Sequence, residues 1–313
     1  MILPHPEHRR SPGLRPGPGR IALAVNPAAS VGRLRGAGDQ AAAIFRAAGA
    51  DVVVLQDKTG EALRARLDAV LEDGVDAVVV VGGDGMVHLA VNALAVRDVP
   101  LGIVPAGTGN DVARLLALPL HDVHAACGRV LAALGGGGRT IDTARVTSGG
   151  RTRYFAGVLS AGFDAAVNER ANSWHWPKGR SRYNLAMLRE LASLKPLNYL
   201  VTADGRQWRQ RAVLMSVANG QSIGGGMRIT PDAKSDDGWL DLFVVAPLSR
   251  LRFLAVFPKV FAGRHTGHPA VGIHRVRKVR LEAAGVVAYA DGERVGALPL
   301  DIEVVPGGLR VLA

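Results

Sequence analysis

Cysteine is almost missing from this 313-residue chain: Cys127 is the only one, so no internal disulfide can form. It sits among alanines in a helical pattern from Asp122 to Leu134 and reads as core filler in a reducing, cytoplasmic setting. Aromatic residues make up 5% of the chain and do not interleave with basic ones, which argues against a base-stacking nucleic-acid platform. Long apolar stretches are missing too. The candidates around Val78 and Leu185 are cut by glycine or charge before the roughly 18–20 residues needed to span a bilayer. The first twenty residues hold His5, His8, Arg9, Arg10 and several Pro and Gly but no apolar centre, which reads as a flexible basic arm rather than a signal peptide. Acid is absent from one long segment. From Arg250 to Arg280 there are eight Lys or Arg and no Asp or Glu, within a net charge of +11. Such a face attracts nucleic acid, anionic lipid headgroups or an acidic ligand. The whole run from Arg250 to Arg280 is the expected membrane-docking surface, with Arg275, Arg277, Lys278 and Arg280 the cations whose replacement by Ser would test it.

What is present describes a folded protein. A hydrophobic content of 48% against 21% charged residues is globular, and the length allows two domains with a core each. The first half alternates strand and helix. Strands are expected at Ile21–Val25, Val52–Leu55, Asp76–Val81 and Leu101–Val104. Helices are expected at Asp39–Ala48, Glu61–Leu71, Met86–Ala95, Asp111–Leu118 and Asp122–Leu134. Apolar strands alternating with helices imply a Rossmann-like parallel sheet covered on both faces. Beyond Gly135-Gly136-Gly137-Gly138 the grammar changes to short strands, at Asp142–Thr147, Leu197–Ala203, Arg211–Ala218, Leu240–Val245, Val276–Glu282 and Val286–Ala290. Asp204-Gly205 and Asp291-Gly292 are hairpin turn signals, and a helical insert is expected from Arg182 to Leu194. This half reads as a mainly antiparallel β-sandwich. The expected organisation is an arm over 1–20, an α/β nucleotide-binding domain over 21–138 completed by residues 300–313, and a sandwich domain over 139–299.

The chemistry concentrates where the chain twice runs strand, glycine turn, helix. Val78–Val81 leads through Gly82-Gly83-Asp84-Gly85 into a helix from Met86. Leu101–Val104 leads through Pro105-Ala106-Gly107-Thr108-Gly109-Asn110 into a helix from Asp111. A helix start exposes unpaired N–H groups and positive dipole, and glycine lets a phosphate approach the main chain. Two such loops at the carboxyl ends of neighbouring parallel strands suggest a polyphosphate ligand, most simply a nucleotide. There is no G-x-x-x-x-G-K-[ST] string, and Gly107-Thr108-Gly109 lacks the third glycine of a dinucleotide fingerprint. Among the histidines, His121, His124, His265, His268 and His274 show no metal-ligand spacing.

The complete strings are more specific. Val81-Gly82-Gly83-Asp84-Gly85, followed by the run from Pro105 to Arg114, resembles the diacylglycerol kinase catalytic family of lipid kinases. Sphingosine and ceramide kinases share that fold, and NAD kinases are distant relatives. The likeness continues through Ala161-Gly162-Phe163-Asp164, Val217-Ala218-Asn219-Gly220, Gly224-Gly225-Gly226-Met227, the run from Pro231 to Asp241, and Asp291-Gly292-Glu293. It covers the chain from about residue 20 to the end.

The resemblance implies ATP and Mg²⁺ as cofactors and assigns roles. Gly82, Gly83, Asp84 and Gly85 would wrap the ATP phosphates together with Gly107, Thr108, Gly109, Asn110 and Asp111, with the Thr108 hydroxyl contributing. Thr59 would be a second nucleotide-contacting threonine, and it reads equally as a helix cap. Asp84 would join a magnesium- or water-linked catalytic network. Asp237 would hold a structural magnesium ion with main-chain carbonyls near Lys234 and Trp239; an Asp-Gly turn is the plain alternative. Glu293 would be the general base that takes the alcohol proton, where the pattern alone reads as a solvent-facing strand residue. Met86 departs from the threonine usual after the loop, and His88 is uncommon there. The implied protein is an ATP-dependent kinase of a lipid alcohol, most simply diacylglycerol, peripherally docked on a membrane, with no nucleic-acid partner; a homodimer is compatible. Alternatives are a kinase for a sphingoid base, ceramide or glycolipid, then a NAD kinase, then a nucleotide-binding regulator without transferase activity.

Overall fold

A strand buried on both faces demands short, continuous, β-branched apolar runs, and the first half of the chain supplies them. In the computed structural model, which describes residues 18–26, 36–174, 176, 185–187, 189–190 and 195–313, these runs form β1 (Arg20–Val25), β2 (Asp51–Leu55), β3 (Ala77–Gly82) and β4 (Leu101–Pro105). They pair in parallel in the order β2-β1-β3-β4. Alternate residues point to opposite faces. Ala22, Ala24, Val78 and Val80 pack under α2 (Gly60–Asp73) and α3 (Asp84–Leu94). Ile21, Leu23, Val79 and Val81 pack under α1 (Ala37–Ala47), while α4 (Asp111–Leu115) is followed by α5 (Val123–Gly135), which covers the same face as α1. Cys127 of α5 is fully buried there, and burial pushes its thiol up to about 12, as inert core filler requires.

The second half stacks two sheets. β5 (Arg139–Ser148), β6 (Arg151–Phe155), β8 (Leu197–Ala203), β9 (Arg206–Ala212) and β13 (Lys278–Glu282) join the first half's sheet through the last strand, β16 (Leu300–Val311). Facing them, β7 (Val158–Ala161), β10 (Leu214–Ala218), β11 (Leu240–Val245), β12 (Val271–Val276), β14 (Val287–Ala290) and β15 (Glu293–Ala297) form an antiparallel sheet in the order β12-β11-β10-β7-β14-β15. Inward residues of both sheets, among them Phe155, Leu159, Tyr199, Met215, Leu242 and Ile302, make a single core. Strand β16 serves both halves. Its start pairs with β13 and β5, and its end lies beside β4, with Val311 opposite Leu101 and Leu312 N–H donating to the Leu101 carbonyl at 2.8 Å.

The sequence periodicity holds for most elements and fails in identifiable places. Both Asp-Gly signals close two-residue hairpins, with φ of 46° and 82° at Asp204-Gly205 and 50° and 85° at Asp291-Gly292. Positive φ at both central positions is what a type I′ turn needs. The expected strand Arg211–Ala218 is two strands in different sheets, because the chain crosses the sandwich at buried Val213. The expected strand Val276–Glu282 breaks for the same reason at Arg277, between β12 and β13. The helix expected to reach Leu118 stops at Leu115, because the chain turns left-handed at Ala117 (φ 54°) and Leu118 N–H closes back onto the Ala113 carbonyl at 2.9 Å. Two helices had no expectation: α6 (Phe163–Ser173) and α7 (Arg250–Phe261). The arm over residues 1–17 and most of the insert Arg182–Leu194 lie outside the described residues.

Candidate active site

Gly82 to Gly85 leave β3 and Ala106 to Asn110 leave β4, and adjacent pairing of these strands sets the two loops side by side. They meet backbone to backbone at Gly83 and Gly107. A β-carbon on Gly107 would run into Gly83 Cα, and one on Gly109 into the Asp84 carboxylate. The second loop is braced from within by Asn110, buried and at φ 57°, whose side chain accepts from Gly107 N–H at 3.0 Å and donates to the Gly107 carbonyl at 2.8 Å. Asn110 is therefore occupied in shaping the loop.

Asp84 is occupied as well. Its two carboxylate oxygens accept from Asn110 N–H and Asp111 N–H, each at 2.8 Å, so it caps α4 and staples loop to loop. A carboxylate at a helix start also complements the dipole. The expected role in a magnesium or water network has this closer competitor. Asp111 reaches the other way. It accepts from Gly225 N–H at 2.8 Å and Gly226 N–H at 3.0 Å, anchoring a loop of the sandwich half. Burial pushes its carboxyl above the ordinary range; the two amides oppose the rise and Asp84 adds to it.

Three hollows surround these loops. A pocket of about 550 Å³ is lined by Asn26, Thr59, Gly83, Gly85, Met86, His88, Arg153 and Glu293 among others. Thr59 caps α2, accepting from Ala62 N–H at 3.2 Å, and so both of its readings meet at one position. Glu293 begins β15 directly after the Asp291-Gly292 turn, and a β-carbon on Gly85 would lie 2.9 Å from its Oε1. Beside it, burial lowers His88 to about 4, with Glu293 opposing and Arg153 reinforcing. Across the loops lies a cleft of about 760 Å³ between the halves, lined by Asp84, Thr108, Gly109, Ser222, Gly225, Tyr289 and Asp291 among others. At its far end Met187, Ile223, Met227 and Phe257 are shared with a small apolar cavity of about 70 Å³ under α7.

The arrangement is a pair of touching glycine loops with a chamber on either side, and comparison with known proteins identifies the family that carries it. Residues 20–146 match the diacylglycerol kinase catalytic domain model, and residues 157–313 match the YegS C-terminal NAD kinase beta sandwich-like domain. A diacylglycerol kinase of Mycobacterium tuberculosis is 39% identical over 296 residues, covering 94% of this chain and 95% of the relative. The chain belongs to the diacylglycerol kinase catalytic family. A diacylglycerol kinase of Bacillus subtilis is 28% identical over 244 residues, covering 77% and 78% of the two chains. A crystal structure of a diacylglycerol kinase from Bacillus anthracis str. Sterne has the same fold, with a TM-score of 0.68 at 24% identity over 94% of this chain and 96% of that one. This chain is thus a lipid kinase, and ATP is its phosphate donor.

For this lipid kinase the remaining expected residues cluster elsewhere. Asp237 Oδ2 accepts from Arg275 at 2.5 Å and Oδ1 from Trp239 N–H at 3.2 Å. Arg275 and Arg277 also stack on the Trp239 ring, 5.0 and 4.4 Å from its centre. Among the described residues no three His, Cys, Asp or Glu side chains converge as metal ligands. The donor set here suits a hard divalent ion in kind, a carboxylate plus loop carbonyls of Lys234 and Trp239, and Arg275 holds the position that such an ion would take. An ion there would tie the loop before β11 and supply no chemistry to the cleft.

Of the expected docking run, the four cations Arg275, Arg277, Lys278 and Arg280 lie in and between β12 and β13. Arg275 pairs with Asp237, Arg277 stacks on Trp239, and Arg280 pairs with Glu282 at 3.1 Å and Asp301 at 2.6 Å, so three of the four are spent internally. Sequence reading gave Asp291 no role beyond its turn. It accepts from Ala156, Gly157 and Val158 N–H at 2.9 to 3.0 Å, and burial pushes its carboxyl up to about 6. The available signal was a non-glycine residue at the left-handed position of a hairpin, a place where Asp is tolerated.

Proposed function

We propose that this lipid kinase transfers the terminal phosphate of ATP to the free hydroxyl of diacylglycerol, forming phosphatidic acid. One observation carries the reading: a nucleotide-sized pocket and a larger cleft meet across the two glycine loops, and the cleft runs on into an apolar cavity. ATP base and sugar would fill the pocket beside Asn26, Thr59 and His88, and the triphosphate would lie over the amides of Gly83, Gly85 and Thr108. Asp84, Asp111 and Asp291 line the cleft and would face the magnesium ion that accompanies the nucleotide, which would supply countercharge to its phosphates. The lipid hydroxyl oxygen attacks the terminal phosphorus, the bond to ADP breaks, and Glu293 accepts the hydroxyl proton.

A second assignment of the base has its own support. Asp291, not Glu293, lines the cleft in which the acceptor would lie. Its three amide partners favour a structural role, so Asp291→Asn should cost stability and Glu293→Gln should not. The test uses labelled ATP with diacylglycerol, a sphingoid base, ceramide, a glycolipid and NAD. Diacylglycerol is expected to be labelled best, and preferential labelling of another acceptor would replace the substrate assignment. A regulator would bind ATP and label nothing. Glu293→Gln is expected to keep ATP binding and Tm while turnover falls about 100- to 10,000-fold; wild-type turnover rejects Glu293 as base.

A further inference from the structure

Helix α7 carries an apolar inner face and two exposed leucines on its outer side. Phe253, Val256, Phe257 and Val260, at helical spacing, line the small cavity that continues from the cleft. Phe253 packs edge-on against Phe163 with ring centres 5.1 Å apart. The outer stripe is open among the described residues: Leu251 and Leu254 are 80% and 47% exposed, whereas Phe261 packs edge-on against Phe257 at 6.0 Å and lines the cleft. Between the inner face and the outer stripe stand Arg250, Arg252 and Lys259, all exposed, with Arg264 just beyond the helix end. Among the described residues none of these four cations pairs with a carboxylate. The sequence has no Asp or Glu between Asp241 and Glu282.

An apolar stripe in water is unfavourable, and a helix end that is cationic without any acid is repelled by its own copies. Both features fit an interface of hydrocarbon and negative headgroups. We propose that α7 lies in the surface of an anionic lipid bilayer, with Leu251 and Leu254 buried among acyl chains and Arg250, Arg252 and Lys259 at headgroup phosphates. The inner face of the same helix is the wall of the apolar cavity. Docking therefore places the cavity against the membrane, so that an acyl chain reaches it without crossing water. The assignment rests on the lipid-kinase reading and narrows the basic run from Arg250 to Arg280 to its helical part.

The test measures sedimentation of the full chain with vesicles of phosphatidylcholine alone or mixed with phosphatidylglycerol, free of diacylglycerol. Phosphorylation of a short-chain, water-dispersed diacylglycerol is assayed in parallel. The wild type is expected to bind the mixed vesicles and to bind phosphatidylcholine poorly. Leu251→Ser with Leu254→Ser, and separately Arg252→Gln with Lys259→Gln, should each weaken binding by about tenfold or more. Both variants should phosphorylate the short-chain substrate at the wild-type rate. Wild-type vesicle affinity in either variant overturns the proposal, as does equal binding to the two vesicle types. A dimer in sizing that the leucine substitutions dissolve would overturn it in favour of a second copy of the chain. Vesicle binding without any phosphorylation would leave the docking surface standing and sink the substrate assignment instead.

Discussion

The smallest feature that decides what this site can do is the missing β-carbon of Gly107. The two glycine loops meet backbone to backbone at Gly83 and Gly107, where the paired strands beneath them end. Gly107→Ala should force the loops apart, lowering ATP affinity and Tm together. Gly128→Ala is the control. It lies in helix α5 with open space at its β-position, so alanine should be neutral or stabilise by about 0.5–1 kcal/mol. Isothermal titration with ATP and a thermal melt check both, and a Gly107→Ala protein with wild-type affinity would mean the loops do not hold the phosphates. At this scale the sequence was informative about residue type and silent about partners. Asp84, Asn110 and Asp111 stand in the loops as the strings imply, yet their polar atoms are turned to neighbouring amides, and only three-dimensional packing shows it. Glu293 lies beside Gly85, some two hundred residues earlier in the chain, and no local pattern carries that proximity.

Elements were legible wherever one period dominates. The parallel strands and their helices announce themselves by apolar runs and helical spacing, and the hairpins by Asp-Gly. Legibility fails where the chain passes from one sheet to the other, at Val213 and Arg277, because both flanks keep strand-like composition across the break. It fails also at α7, whose outer leucines blur a single-stripe pattern. The segment leading into β11 belongs to this scale. There the Arg275 guanidinium holds the Asp237 carboxylate, the group that a magnesium ion at this turn would need. Magnesium is expected to raise Tm more in Arg275→Met than in the wild type, and not at all in Asp237→Ala. A melt series with and without EDTA reads this directly; equal shifts in all three proteins would place any bound ion elsewhere.

At the scale of the whole molecule, β16 makes the two halves one cooperative unit. Leu309 and Val311 sit in the core beneath α2 and α3, Leu312 in the core beneath α1 and α5, and Leu300 and Ile302 in the sandwich core. A single strand of the last twelve or so residues cannot leave one core without disturbing the others, and the cleft that it helps define depends on both. The tryptophans allow a clean test, since Trp174, Trp176, Trp208 and Trp239 all belong to the second half. Val79, fully buried in β3, is remote from them in sequence and packs in the first half's core. Val79→Ala removes two methyl groups from a close-packed site, at about 1–3 kcal/mol. If the halves unfold together, the tryptophan-fluorescence midpoint falls by roughly 2–4 °C or more, in step with the far-UV circular dichroism midpoint. A tryptophan transition that stays at the wild-type temperature while part of the dichroism melts early would mean the halves unfold separately and that β16 does not couple them.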